Sequence, residues 1–180
     1  MAVGNLLEST GGIDMTAEVI DPTTTVFAFA YMLAFVVFII SVVVVSMWIH
    51  RAHANLFAGG VADHEYTPGL AVGWFFIPFA NLVKPFQAMR ELWFASRRDR
   101  WDSTNTTRGI LGWWWACWLT GNGLSNVGAR MTERGAVEGG GFVSLISAIL
   151  LISSAILLLK IIRSTTEAQT SGQFTAGVFD

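Results

Sequence analysis

Three histidines and a few polar residues set in apolar surroundings are where chemistry would have to sit in this sequence. His50 and His53 flank Arg51, and a spacing of three puts both imidazoles on one face of a helix that reaches them. Such a pair can hold a metal or haem, with Asp63, His64 and Glu65 close by in the chain. A structural zinc site needs a third and a fourth ligand that this spacing does not guarantee. The expectation is therefore amphipathic side chains at a headgroup boundary, with no metal and no cofactor. Asn81 and Lys84 form a second group, beside two prolines, Pro78 and Pro85. Asn122 and Asn126, four apart, share a helix face and are expected to hydrogen-bond Asn81 or the carbonyls freed by Pro78 and Pro85. The alternative is that Asn81, Lys84 and Asn122 line a path for a solute or ion.

No enzyme signature is present: the sequence has no HExxH, no GxSxG, no Walker A and no CxxC. Cys117 is the single cysteine and lies in an apolar block with no base beside it, so it reads as a small packing residue. No catalysis is expected.

The elements that must position these residues follow from composition. Of 180 residues, 53% are hydrophobic and only 13% charged, against about 25% charged in soluble domains. The apolar residues fall in a few long uncharged blocks rather than at core periodicity, which points to an all-α, polytopic membrane bundle. A formal net charge of −2 gives no global field to attract nucleic acid.

The first block, Val26–Ile49, is 24 uncharged residues, longer as a helix than the roughly 30 Å hydrocarbon core. It is preceded by an acidic tail, residues 1–25, with no Lys or Arg, so a cleaved signal peptide is not expected. The second block, residues 68–95, offers only 11 continuous apolar or Gly/Pro residues, Leu70–Ala80, and carries Pro78 and Pro85. A helix broken near 78 is expected, re-entrant rather than spanning. Helices are expected near 26–50, 109–130 and 142–163 as well, giving three to four membrane helices within a domain of 26–163. The third opens with a Trp-rich run resembling an interfacial aromatic belt. Residues 135–141 read as a flexible glycine turn, and 164–180 as a polar, partly disordered tail.

Sidedness comes from the basic residues. With a re-entrant second block, nine of the eleven Lys and Arg residues lie inside, and only Arg130 and Arg134 outside. A fully spanning block gives eight against three. Both arrangements keep Arg97, Arg98 and Arg100 at the inner face, where with Trp93, Phe94 and Trp101 they could hold anionic lipid headgroups.

The segments WIHRAHANL (Trp48–Leu56), YTPGLAVGWFFIPFANLVKPFQAMRELWFAS (Tyr66–Ser96), LGWWWACWLTGN (Leu111–Asn122) and LLKIIRSTTEAQ (Leu158–Gln169) resemble the bacterial membrane proteins of domain-of-unknown-function family 4328. Arg51, Asn55, Pro68, Gly69, Gly73, Trp74, Pro78, Asn81, Pro85, Gln87, Trp93, Trp114 and Trp115 match its pattern position by position. Many members carry a further hydrophobic helix upstream; here an acidic tail precedes the first, which favours a partner supplying that contact. The resemblance implies fold and location, not an activity. It concentrates the candidate binding or packing motif on Arg51, Asn55, Pro78, Asn81, Lys84, Pro85, Gln87, Trp93, Trp114, Trp115 and Asn122. The expected role is a non-enzymatic accessory or scaffold in the bacterial cytoplasmic membrane, contacting lipids and other membrane subunits or a second copy. The alternative is an oligomeric transporter or channel component.

Overall fold

The computed structural model describes residues 21–59, 65–97 and 105–170, the last without the side chains of 105–108. Among these residues the structure is all-helical, with no strand. Helix α1 is Pro22–Ala58, α2 Pro68–Gly73, α3 Lys84–Ala95, α4 Asn105–Glu133 and α5 Val137–Thr170, with 3-10 turns at Trp74–Phe76 and Ala80–Leu82. Two helices, α1 and α5, are long and apolar enough to cross a membrane. Their 37 and 34 residues correspond to about 55 and 50 Å.

The chain divides into two units, residues 1–44 and 45–180, with the boundary inside α1. In the first unit the helix starts with Asp21, whose carboxylate accepts from the Thr23 N–H (3.2 Å), and Pro22, which has no N–H to leave unpaired. Its side chains from Val26 to Val44 are nearly all exposed, on every face of the helix.

The second unit holds the core. Ile49, Ala52, His53 and Leu56 of α1 are buried there, with Ala71 of α2, Leu111, Trp114 and Trp115 of α4, and Ile161 of α5. Helix α3 contributes Pro85, Ala88, Met89, Leu92 and Trp93. This i, i+3, i+4, i+7, i+8 stripe is the apolar face of an amphipathic helix.

Helices α4 and α5 form an antiparallel hairpin closed by Gly135 at φ +87°. There the Ala136 N–H reaches the Met131 carbonyl (3.0 Å) and the Gly135 N–H reaches that of Thr132 (3.0 Å), a Schellman cap that needs a residue without Cβ at the left-handed position. The turn is shorter than the glycine cluster, because Glu138 to Gly141 already belong to α5. These glycines serve packing: a Cβ on Gly140 would lie 2.8 Å from the Gly128 carbonyl oxygen, and one on Gly128 would lie 3.0 Å from that of Gly140. The seam continues as Ser147 Oγ donating to the Gly121 carbonyl (2.8 Å) and Ser154 Oγ donating to that of Trp114 (3.3 Å). Contacts therefore step by seven residues in opposite directions along the two helices, the repeat of a left-handed crossing.

Helix α5 also runs on to Thr170, through residues expected in the polar tail. Ile161, Thr165 and Gln169 recur every four residues and are all buried, so tertiary packing holds the helix where composition suggests a tail.

Candidate functional site

The Pro-broken segment is built from local rules. Thr67 caps α2, its Oγ1 accepting from the Leu70 N–H (3.4 Å), and Pro68 occupies the first turn. The helix tightens to 3-10 geometry and stops at Phe76, with Ile77 extended ahead of Pro78. The Ala80 N–H then donates to the Pro78 carbonyl (2.8 Å) across Phe79, whose φ is +64° and ψ −45°. This is a γ-turn with its central residue at positive φ, a rare conformation that costs a non-glycine residue about 1–3 kcal/mol. Phe79 is 86% exposed, and Phe76, Ile77, Leu82 and Val83 are exposed around it. The chain re-enters a helix at Lys84–Pro85 and returns along α3.

A polar clip ties the start of the segment to α3. The Glu91 carboxylate accepts from the backbone N–H groups of Glu65 (3.0 Å) and Tyr66 (3.3 Å). The Tyr66 hydroxyl donates to Gln87 Oε1 (2.8 Å) and accepts from Lys84 Nζ (3.2 Å). Lys84 also pairs with Glu65 at 3.4 Å and lies over the Tyr66 and Trp74 rings. This solvent-facing pair orients more than it stabilises. A groove of about 280 Å³ opens beside Glu65, Tyr66, Gln87, Arg90, Glu91 and Phe94, smaller than most small-molecule sites.

The far end of α3 is locked to α5 and α1. Gln169 Nε2 donates to the Ala52 carbonyl (2.9 Å) and Ser96 Oγ (3.0 Å), and its Oε1 accepts from Asn55 Nδ2 (3.1 Å). Arg97 donates to Ser164 Oγ (2.6 Å) and the Trp93 carbonyl (2.9 Å), with its guanidinium 3.4 Å from the centre of the Trp93 ring. On the tip side, Trp115 Nε1 donates to the Leu82 carbonyl (3.1 Å), and its ring stacks on Trp118 (4.8 Å between centroids) and Phe86 (6.4 Å).

Pro78, Asn81, Lys84, Pro85, Gln87 and Trp93 thus all lie in or beside this hairpin, with Trp115 bonded to it, while Asn55 joins it through Gln169. Asn81 keeps its Oδ1 buried with no hydrogen-bond partner. Other placements differ from expectation. Asn122 and Asn126 donate to the carbonyls of Trp118 and Asn122 on their own helix (2.8 Å each) and do not bond the broken segment. Its Leu82 carbonyl is instead served by an indole N–H, a better match to a half-buried acceptor. Trp114 and Trp115 are buried rather than forming an exposed belt, and only Trp113 of the trio faces outward. Arg97 is engaged within the protein rather than left open for headgroups; Arg98 and Arg100 lie outside the described residues. His50 is exposed and His53 buried, its Nδ1–H donating to the Ile49 carbonyl (3.0 Å), so the pair does not share an environment. His64 and Asp63 lie outside the described residues, among which no three His, Cys, Asp or Glu side chains converge. Arg51 is exposed and Cys117 half-buried.

Tyr66, Glu91 and Gln169 hold the hairpin by hydrogen bonds, and sequence reasoning passed over them. The four-residue recurrence of Ile161, Thr165 and Gln169 was a readable signal for the last. Glu91 lies within the segment Tyr66–Ser96 that carries the family resemblance, but no local pattern pairs it with Tyr66, 25 residues away.

The profile of the family described as Domain of unknown function (DUF4328) matches residues 12–167. No curated protein and no solved structure matches the chain.

Proposed function

The chain belongs to the DUF4328 family, and on that premise we propose that it is a non-enzymatic, multi-pass protein of the bacterial cytoplasmic membrane that packs against other membrane proteins as an accessory or scaffold subunit. The observation that carries this reading is the α4–α5 seam. Glycines bring the two backbones close, and serine hydroxyls donate to carbonyls of the opposite helix. Where lipid removes the hydrophobic drive between helices, association relies on such close packing and interhelical hydrogen bonds. Because α4 follows α5 in step from Trp114 to Gly128, this reading takes it as a third span in addition to α1 and α5. Phe142, Leu145, Ile149, Ile152 and Ile156 of α5 are exposed, as a surface against lipid or another subunit requires.

The acidic tail then lies outside, and Lys160 and Arg163 inside. The polar groups suited to a path do not converge: Lys84 is bonded to Glu65 and Tyr66, and Asn122 to its own helix. Purification from native membranes in mild detergent is expected to yield a heteromeric complex that survives size exclusion. A homo-oligomer that alone confers solute flux on liposomes overturns this reading in favour of a transporter or channel component.

A further inference from the structure

The depth and connectivity of the Pro-broken segment can be read from its hydrogen bonds. Its start, Glu65 and Tyr66, is held by Glu91 of α3. Its end, Ser96 and Arg97, is held by Gln169 and Ser164 near the C-terminal end of α5. Both ends therefore lie toward that end of α5, and the segment is a hairpin rather than a crossing.

Its tip lies deeper. Leu82 is bonded to Trp115, whose neighbour Trp114 accepts from Ser154 of α5. Ser154 is six residues inside Lys160, and no charge interrupts α5 between Phe142 and Leu159. At about 1.5 Å per residue the tip reaches about 9 Å beyond the level of Lys160, short of the roughly 15 Å of a hydrocarbon half-thickness. At that depth the exposed side chains are Phe76, Ile77, Pro78, Phe79, Leu82 and Val83, and the one polar residue of the tip, Asn81, is half-buried with its Oδ1 turned inward. Lys84, next in sequence, reaches back to Glu65 at the mouth of the hairpin, as a lysine stem does when its ammonium leaves the apolar layer.

We infer that Tyr66–Arg97 is a re-entrant hairpin whose Phe76–Val83 tip is seated among the acyl chains of one leaflet, the γ-turn at Phe79 presenting its ring to lipid. The occupant is lipid because the tip is continuous in depth with the uncharged stretch of α5. The inference rests on the membrane reading above.

The test uses the full chain with Cys117→Ala and single cysteines in place of Glu65, Glu167 and Glu138, labelled by a membrane-impermeant maleimide in sealed vesicles of both orientations. Glu65→Cys and Glu167→Cys are expected to label from one side and Glu138→Cys from the other. Glu65→Cys labelling with Glu138→Cys overturns re-entry in favour of a span. Phe79→Cys carrying an environment-sensitive fluorophore, in phosphatidylcholine–phosphatidylglycerol liposomes, is expected to lose at least half its emission to doxyl-labelled lipid. Emission unaffected by doxyl lipid but quenched by aqueous iodide, or by neither, places the tip in water or against protein and overturns lipid seating. Resistance of each variant to alkaline carbonate extraction is the separate check: loss there refutes the membrane reading itself, whereas retention with the wrong labelling side refutes only the hairpin.

Discussion

Gln169 is 8% exposed and uses both ends of its amide, bonding α1 through Ala52 and Asn55 and the end of α3 through Ser96. Gln169→Leu strips a donor from the Ala52 carbonyl and Ser96 and an acceptor from Asn55. Leaving buried polar groups unsatisfied costs about 1–3 kcal/mol, so the variant is expected to unfold roughly 5–10 °C lower in detergent, read by intrinsic fluorescence. An unchanged midpoint would show the hub to be dispensable. Phe79 is the opposite case. Phe79→Gly removes a side chain that packs on little and relieves a positive φ of +64°. The relief of about 1–3 kcal/mol exceeds the extra chain entropy of glycine, about 0.5–1 kcal/mol, so stability in detergent is expected to rise by about 1 kcal/mol. A fall would mean that the ring makes contacts of its own.

The seam between α4 and α5 decides stability at the scale of elements. Gly140→Ala places a methyl against the Gly128 carbonyl, an atom that cannot move without the helix. Separation of the hairpin at a cost of about 1–3 kcal/mol is expected. Gly123→Ala, on the same helix as Gly128 but with nothing within 4 Å, is expected to be neutral or to stabilise by up to about 1 kcal/mol through helix propensity. Parallel denaturation of the two variants checks this, and equal effects would sink the seam as the organising contact. Trp115→Phe preserves the stack on Trp118 but strands the Leu82 carbonyl. A loss of about 1–3 kcal/mol is expected, with Trp118→Phe the milder of the two.

Across the whole molecule the distribution of charge is expected to set orientation in a membrane. An N-terminal tag is expected to be labelled from outside in intact cells with any outer membrane permeabilised, and a C-terminal tag to be protected. Protection of both tags fits four spans and contradicts three. The nearly continuous apolar exposure of α1 from Val26 to Val44 belongs to the same scale, since a helix apolar on every face is stable only in lipid or against a partner.

Long uncharged blocks made the helical class legible without coordinates, and with it the two helices long and apolar enough to cross a membrane, because hydrocarbon admits few charges and satisfies no backbone. Proline spacing likewise marked the break near 78, since Pro78 ends a helix by its missing N–H and fixed φ. Tertiary structure alone decided which groups meet. Asn122 and Asn126, both exposed, bond the carbonyls four residues back on their own helix. Trp115 reached Leu82, Glu91 the backbone of Glu65 and Tyr66, and Arg97 Ser164 across 25 to 67 residues of chain. Periodicity says which face of a helix is apolar; only the register of one helix against another says which donor faces which acceptor, and that register is fixed here by glycines whose missing Cβ atoms let α4 and α5 approach.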